Sequence, residues 1–288
     1  MPQLSPELAA KRDRLLELIA DYGSCAVAYS GGVDSALVAK AAQLALGENA
    51  VAVTGVSASL AEGELEAAVA LAREIGIRHE RLATDELTNP AYSANAPDRC
   101  FHCKTELYTQ LAALAPRLGV KEIASGTNFD DLGDYRPGLA AAASYGIRQP
   151  LADCGLTKAD VRSLAAAWNL PVAEKPASPC ISSRVAYGQA VTPERLRMID
   201  RAEQIVRSLG IPVCRVRYHA GDVASIEVPT ESIAVLLETE INSSLQAQFT
   251  RLGFHSMTID PKGFRSGSLN ESLVLHQLES QSISGGAP

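Results

Sequence analysis

Ser30-Gly31-Gly32-Val33-Asp34-Ser35 follows the apolar run Cys25-Ala26-Val27-Ala28-Tyr29 and opens a stretch, Asp34 to Leu46, rich in helix formers such as Ala36, Leu37 and Ala39. A short apolar run followed by such a stretch reads as a strand and then a helix, which makes the hexapeptide the turn between them. Two adjacent glycines let the backbone turn tightly and approach an anion closely. Ser30, Ser35 and the free N–H groups of the helix start then offer donors to phosphate oxygens. The hexapeptide has no Gly-Lys-Ser/Thr, so it is not built as a Walker loop for transferring a γ-phosphate.

Outward from this loop, short apolar runs alternate with amphipathic stretches. A leading helix carries Leu8, Leu15 and Ile19 on one stripe. Strands are expected at Ala50–Val56, 79–83 and 121–125, and helices at 60–75 and 105–118. Such alternation predicts an α/β fold with a doubly wound parallel sheet. Ligands of these sheets bind beyond the carboxyl ends of the strands, where the glycine loop would sit. Gly126-Thr127-Asn128 ends a later strand and would face the same crevice. The segment 173–188, rich in Pro, Ser and Gly, marks a change of character. Beyond it a helix at 193–209 with Thr192 as its cap, strands at 213–218 and 225–228, a long helix at 231–252 and a strand at 256–260 predict a smaller α/β domain. The expected division is residues 1–185, 186–270 and a disordered tail from 271 to 288.

The 288 residues are 47% hydrophobic and 20% charged, the composition of an ordinary folded domain or pair of domains. A formal net charge of −7 argues against a broad nucleic-acid surface. Lys11, Arg12, Asp13, Arg14 and Glu17 interrupt the N-terminal apolar residues, so no signal peptide is read there, and no apolar run is long enough to span a bilayer. A cytoplasmic protein is expected. In that compartment six cysteines point to free thiols, metal ligands or redox groups instead of disulfides.

Cys100 and Cys103 form a Cys-x-x-Cys pair, and Cys180 lies far along the chain in a turn-rich segment. Ordinary thiols, a zinc site completed by His102, and an iron–sulfur cluster held by three thiolates all fit that spacing. Cys25 and Cys214 sit in apolar strands and read as packing residues, whereas Cys154 reads as a surface turn residue. Arg215 and Arg217 share one face of a strand, a spacing suited to a phosphate or carboxylate but equally to surface salt bridges. Glu203 and Glu227 read as surface charges, and Asp130 and Asp131 as either Mg²⁺-orienting or helix-capping groups.

The hexapeptide resembles the loop of the ATP pyrophosphatases, which grips the pyrophosphate of ATP while AMP passes to a substrate. Several further stretches occur in order with it: Asp98-Arg-Cys-Phe-His-Cys-Lys-Thr-Glu-Leu-Tyr108, Gly126-Thr-Asn-Phe-Asp-Asp-Leu-Gly-Asp-Tyr-Arg-Pro-Gly138, Ser182-Ser-Arg-Val-Ala-Tyr-Gly188, Arg215-Val-Arg-Tyr-His219 and Phe264-Arg-Ser-Gly-Ser-Leu-Asn270. Together they resemble the LarE family, the ATP-dependent sulfur transferases of nickel-pincer cofactor biosynthesis. The resemblance implies that a carboxylate of pyridinium-3,5-biscarboxylic acid mononucleotide is adenylated with Mg²⁺-ATP and that sulfur then displaces AMP. It makes Ser30, Gly31, Gly32, Asp34, Ser35, Gly126, Thr127 and Asn128 the nucleotide site. Arg215 and Arg217 would hold the substrate, with Glu203 a candidate for the same cleft.

Some members of that family sacrifice the sulfur of one cysteine, matched here by Cys180. Others carry three cysteines, matched by Cys100, Cys103 and Cys180, that hold a 4Fe-4S cluster; the present chain has all three. The resemblance further implies a homo-oligomer, a ring such as a hexamer, and an external sulfur donor. Rival readings are a tRNA thiolation enzyme, an amide-forming synthetase and a non-catalytic adenine-nucleotide sensor.

Overall fold

Short apolar runs bounded by glycines and polar turns become the strands of the chain, and the amphipathic stretches between them become its helices. A computed structural model describes residues 4–133, 137–176 and 178–265. Asp134, Tyr135 and Arg136, residues 266–270 of the last quoted motif and the expected tail from 271 lie outside the described residues. Two compact units are present: the first runs to Ser93 and resumes at Pro97–Cys180, and the second holds Ala94–Ala96 and the chain from Ile181 onward.

The first unit contains α1 (Pro6–Ala20), β1 (Cys25–Ala28), α2 (Val33–Leu46), β2 (Ala50–Val56), α3 (Glu64–Ile75), β3 (Arg78–Ala83), α4 (Pro90–Ser93), α5 (Arg99–Leu118), β4 (Glu122–Ala124), α6 (Pro137–Ser144), α7 (Pro150–Asp153) and α8 (Lys158–Ala167). All strand pairs are parallel, in the order β3-β2-β1-β4. Because strand side chains alternate, Cys25, Val27, Ala50 and Ala52 face a core with α1, α2, α3 and α8. Ala26, Val51 and Val53 face the opposite core with Tyr108, Leu111, Ala141 and Ala142 of α5 and α6. Helices therefore cover both faces, as the doubly wound reading requires. After β1 the chain moves to β2 on one side and later returns to β4 on the other. Beside β1 the strand order reverses, and the loops after β1 and β4 share that switch point.

The second unit contains α9 (Pro193–Ser208), β5 (Arg215–His219), β6 (Val223–Glu227), α10 (Thr230–Leu237), α11 (Thr239–Leu252) and β7 (Ser256–Ile259). Its sheet has the order β5-β6-β7, antiparallel at the first pair and parallel at the second. The Thr192 side chain caps α9 by accepting from Arg195 N–H at 3.3 Å.

Several expected boundaries move. The helix expected from residue 105 begins at Arg99, because nothing between Pro97 and Pro116 breaks it, and so takes Cys100 and Cys103 into its first turns. The long helix expected at 231–252 is two, broken at Glu238, whose backbone is extended; Asn242 Nδ2 donates to the carbonyl of Leu236 at the break. The units divide after Cys180 instead of after residue 185, since Ile181, Ser182 and Arg184 are buried within the second unit.

Candidate functional site

The turn after β1 is wound on itself by its two serines. Gly31 has φ +72°, a left-handed conformation that favours glycine, and its missing side chain leaves room for Ala68. Ser30 N–H donates to Ser35 Oγ at 3.2 Å, Ser35 Oγ–H to the Gly32 carbonyl at 3.1 Å, and Gly32 N–H to Ser30 Oγ at 3.4 Å. Gly32 caps α2 without a side chain, so the first N–H groups of that helix have no side-chain acceptor in front of them. The result is a concave set of donors at a helix N-terminus, the arrangement that binds phosphate.

The loop after β4 packs directly onto that helix start. A Cβ on Gly126 would lie 2.6 Å from the backbone nitrogen of Ser35, so only glycine fits there. Asn128 then ties the two loops: its Nδ2 donates to Asp34 Oδ1 at 3.1 Å, and its Oδ1 accepts from Asp130 and Asp131 N–H. Thr127 Oγ1 pairs with Ser125 Oγ at 3.1 Å. Lys158, at the start of α8, places Nζ 2.5 Å from Asp34 Oδ2. Thus Ser30, Gly31, Gly32, Asp34, Ser35, Gly126, Thr127 and Asn128 gather at one place. Asp130 accepts from Lys158 N–H at 2.8 Å and Asp131 from Asn128 N–H at 3.1 Å; both are capping groups here.

Cys100 and Cys103 are three apart on α5 and share its face, and Cys180 belongs to the same unit. Cys100 and Cys180 are exposed, Cys103 half-buried. Burial, with Cys180 and Glu86 nearby, pushes the Cys103 thiol up to about 12. The buried Arg99 guanidinium lies close to Cys180 and Cys100, whose charge more than offsets the effect of burial and holds it above its usual value. Among the described residues no three His, Cys, Asp or Glu side chains lie close enough to hold a metal ion. The residue types are those of an iron–sulfur ligand set, three thiols in one unit with the buried Arg99 guanidinium close to Cys100 and Cys180. His102 instead contacts Asp98 at 3.3 Å on its own helix. Cys25 and Cys214 are buried as expected, and burial raises both thiols to about 12. Cys154 is a correction: it is 4% exposed and lies in the core, not on a surface turn.

Arg184, Arg215 and Arg217 of the second unit are buried in a charged network with Arg207 at its edge, and the expectation of surface charges at Glu203 and Glu227 fails. Glu203, with a fully buried side chain, takes Arg184 Nε at 2.8 Å, Arg207 Nη2 at 2.6 Å and Val216 N–H at 3.2 Å. Arg217 donates to Glu227 Oε2 and to the Ser183 carbonyl, both at 2.9 Å. Arg215 stacks over Phe264 with 4.5 Å to the ring centre. Burial, together with Arg217 and Arg184, lowers Arg215 to about 10. Among the described residues four guanidiniums, Arg184, Arg207, Arg215 and Arg217, gather here with two carboxylates, Glu203 and Glu227. Sequence reasoning does not single out Lys158, Arg184 or Arg207. For Glu203 a signal existed: with Leu196, Ile199 and Val206 it lies on the buried stripe of α9.

A switch-point phosphate cradle on a doubly wound sheet suits the first unit to a nucleotide, and residues 11–107 match the NAD synthase family. The chain is 44% identical to an uncharacterized protein of Synechocystis sp., over 93% of this chain and 99% of that one. It is 37% identical to the pyridinium-3,5-bisthiocarboxylic acid mononucleotide synthase of Lactiplantibacillus plantarum, over 94% of this chain and 98% of the relative. A partial match, 32% identity over 59% of this chain and 54% of the relative, is to the tRNA-specific 2-thiouridylase of Xanthobacter autotrophicus. The chain belongs to the family of the pyridinium-3,5-bisthiocarboxylic acid mononucleotide synthase. Among the described residues no helix is long and apolar enough to cross a membrane.

Proposed function

We propose that the protein is an ATP-dependent sulfur transferase acting on pyridinium-3,5-biscarboxylic acid mononucleotide. A carboxylate is a poor electrophile, because its charge repels nucleophiles and oxide is a bad leaving group. Attack of a carboxylate oxygen on the α-phosphorus of Mg²⁺-ATP forms an acyl–O–P bond and expels pyrophosphate. A sulfur nucleophile then takes the acyl carbon and AMP leaves, giving a thiocarboxylate; the second carboxylate follows the same course.

The joined loops after β1 and β4 carry this reading: they present donors to an anion and lack a γ-phosphate-transferring lysine of the Walker type. In it Ser30, Ser35 and the N–H groups of α2 hold the phosphates, while Gly126 and Asn128 keep Asp34 in place. Arg215 and Arg217 offer their positive field to the phosphate or second carboxylate of the substrate, with Glu203 fixing their neighbour Arg184. Cys100, Cys103 and Cys180 would hold a 4Fe-4S cluster, which would supply the sulfur nucleophile. A homo-oligomer and an external sulfur donor complete the proposal.

Anaerobically purified protein with ATP and the dicarboxylate mononucleotide is expected to release pyrophosphate and form the thiocarboxylate, with iron and sulfide bound. Cys100→Ala, Cys103→Ala and Cys180→Ala should each lose iron and product, whereas Cys154→Ala keeps both. Orthophosphate as the first product overturns adenylation, and thiolation of tRNA in place of the mononucleotide overturns the substrate. A spent protein without iron, lighter by the mass of hydrogen sulfide, makes Cys180 a sacrificial donor and removes the cluster from the proposal.

A further inference from the structure

We propose that the cleft between α3 and β3 is a binding site for a compact organic dianion, a phosphate monoester or a dicarboxylate, held by Arg73 and Arg81. The cleft has a volume of about 540 Å³, and Val69, Arg73, Ile77, His79, Glu80 and Arg81 line it. A space of that size suits a small metabolite. It lies apart from the glycine loop. Arg73 is in the last turn of α3 and Ile77 leads into β3, so the cleft flanks the amino end of that strand. The loops after β1 and β4 lie beyond the carboxyl ends of the same sheet.

Strand alternation sorts the charges of the lining. His79 and Arg81 stand in register with Ala52 and Thr54 of β2, and Ala52 faces the core under α3. Both residues are therefore on the α3 side of the sheet. Arg78, Glu80 and Leu82 alternate to the other side, where Arg78 Nη2 donates to the Leu118 carbonyl of α5 at 3.4 Å and Leu82 packs against the core of α5. Glu80 is thus turned away, and the lining on the α3 side carries two guanidiniums and an imidazole without a carboxylate. Among the described residues neither Arg73 nor Arg81 makes a side-chain hydrogen bond or ion pair. Other arginines of this unit are engaged: Arg12 with Asp13, Arg148 with Glu122, and Arg162 with the carbonyls of Ala173 and Lys175. Each free guanidinium fork can take a pair of anionic oxygens, while Val69 and Ile77 offer apolar surface to the body of the ligand.

The imidazole is held in a defined orientation. The Thr54 hydroxyl has one proton and gives it to the Tyr29 carbonyl at 2.9 Å, so His79 Nε2 donates to Thr54 Oγ1 at 2.8 Å. His79 Nδ1 keeps its lone pair and can accept from a hydroxyl of the bound molecule. Burial and then Arg81 lower this imidazole from its ordinary 6.5, with Glu80 opposing least, so the field that an anion meets here is positive.

The test is calorimetric titration of the full chain with ribose 5-phosphate, malate and inorganic phosphate separately, in chloride buffer without ATP. At least one of the two organic anions is expected to bind, and which one does so identifies the class of ligand. Arg73→Met and Arg81→Met should each weaken it by about tenfold or more, while Arg78→Met, on the opposite face of β3, stays within about twofold. All three side chains are exposed, so unchanged melting temperatures are expected of the variants. Binding of neither organic anion overturns the inference, as does full affinity in Arg73→Met or Arg81→Met. An equal loss in Arg78→Met, the mark of a general charge effect, overturns it too. So does inorganic phosphate bound as tightly as the organic anions. ATP titrations of Arg73→Met and Arg81→Met should match the parent; a parallel loss of ATP affinity would assign both arginines to the nucleotide and remove the separate site.

Discussion

Asp34 and Glu203 are carboxylates with similar company and opposite circumstances. Each accepts from a cationic side chain and from a neutral N–H donor, yet Asp34 keeps 25% of its side chain exposed while Glu203 keeps none. In water-filled surroundings an ion pair is worth about 0–1 kcal/mol and its partners exchange readily. In a dry interior, breaking a pair strands a charge and costs about 3–5 kcal/mol. The first arrangement can be rearranged by a ligand; the second holds a scaffold together. Exposure, more than residue type, separates a carboxylate open to a ligand from one that keeps other groups in place.

The sharpest way to break this contrast is Glu203→Ala. It should lower the stability of the second unit by about 3–5 kcal/mol, because Arg184 is left buried without its carboxylate. Urea unfolding followed by hydrogen exchange in β5 and α9 reads the loss; an unchanged midpoint would mean that the network is not a scaffold. Gly126→Ala comes next. Its new methyl group meets the Ser35 backbone, so a loss of about 1–3 kcal/mol is expected together with weakened ATP binding, read by thermal melting and titration. Loss of stability with full ATP affinity would uncouple the two loops.

The smallest expected effect is a response to pH. Burial, reinforced by Arg81 for His79 and Arg217 for His219, lowers both imidazoles from their ordinary 6.5. The unfolded chain then holds these protons more tightly than the folded one. Stability present above about pH 6.5 should decline as pH falls through the lowered folded-state values and level off below them. Melting temperatures of His79→Gln and His219→Gln across this range test it: each variant should show a shallower slope than the parent.

Local signals made much of the fold legible. β2 occupies Ala50–Val56 as its apolar run requires, and Thr192-Pro193 starts α9 where capping rules put it. The glycine loop was readable because its chemistry is contained in six consecutive residues. Long-range relations were not. Lys158 stands 124 positions from Asp34, and the need for glycine at 126 arises from Ser35, so neither has a local signature. Glu203 was misjudged from its type, although its place on the apolar stripe of α9 argued for burial. The thiol of Cys154 was misplaced because Asp153 and Gly155 look like a turn, while the core behind that turn cannot be seen from its neighbours in sequence.

The excursion at Ala94–Ala96 has a bearing on how this molecule can be taken apart. Asn95, buried with its backbone at φ +58°, donates its amide to the carbonyls of Val185, Ala186 and Gln189 and accepts from Gly188 N–H with its own carbonyl. The second unit is thus stitched from two separate pieces of polypeptide. A gene fragment starting at Ile181 would encode that unit without its internal peg, so the two halves of this chain are not interchangeable cassettes. Any swap of one half between relatives has to carry these three residues along with the half they serve.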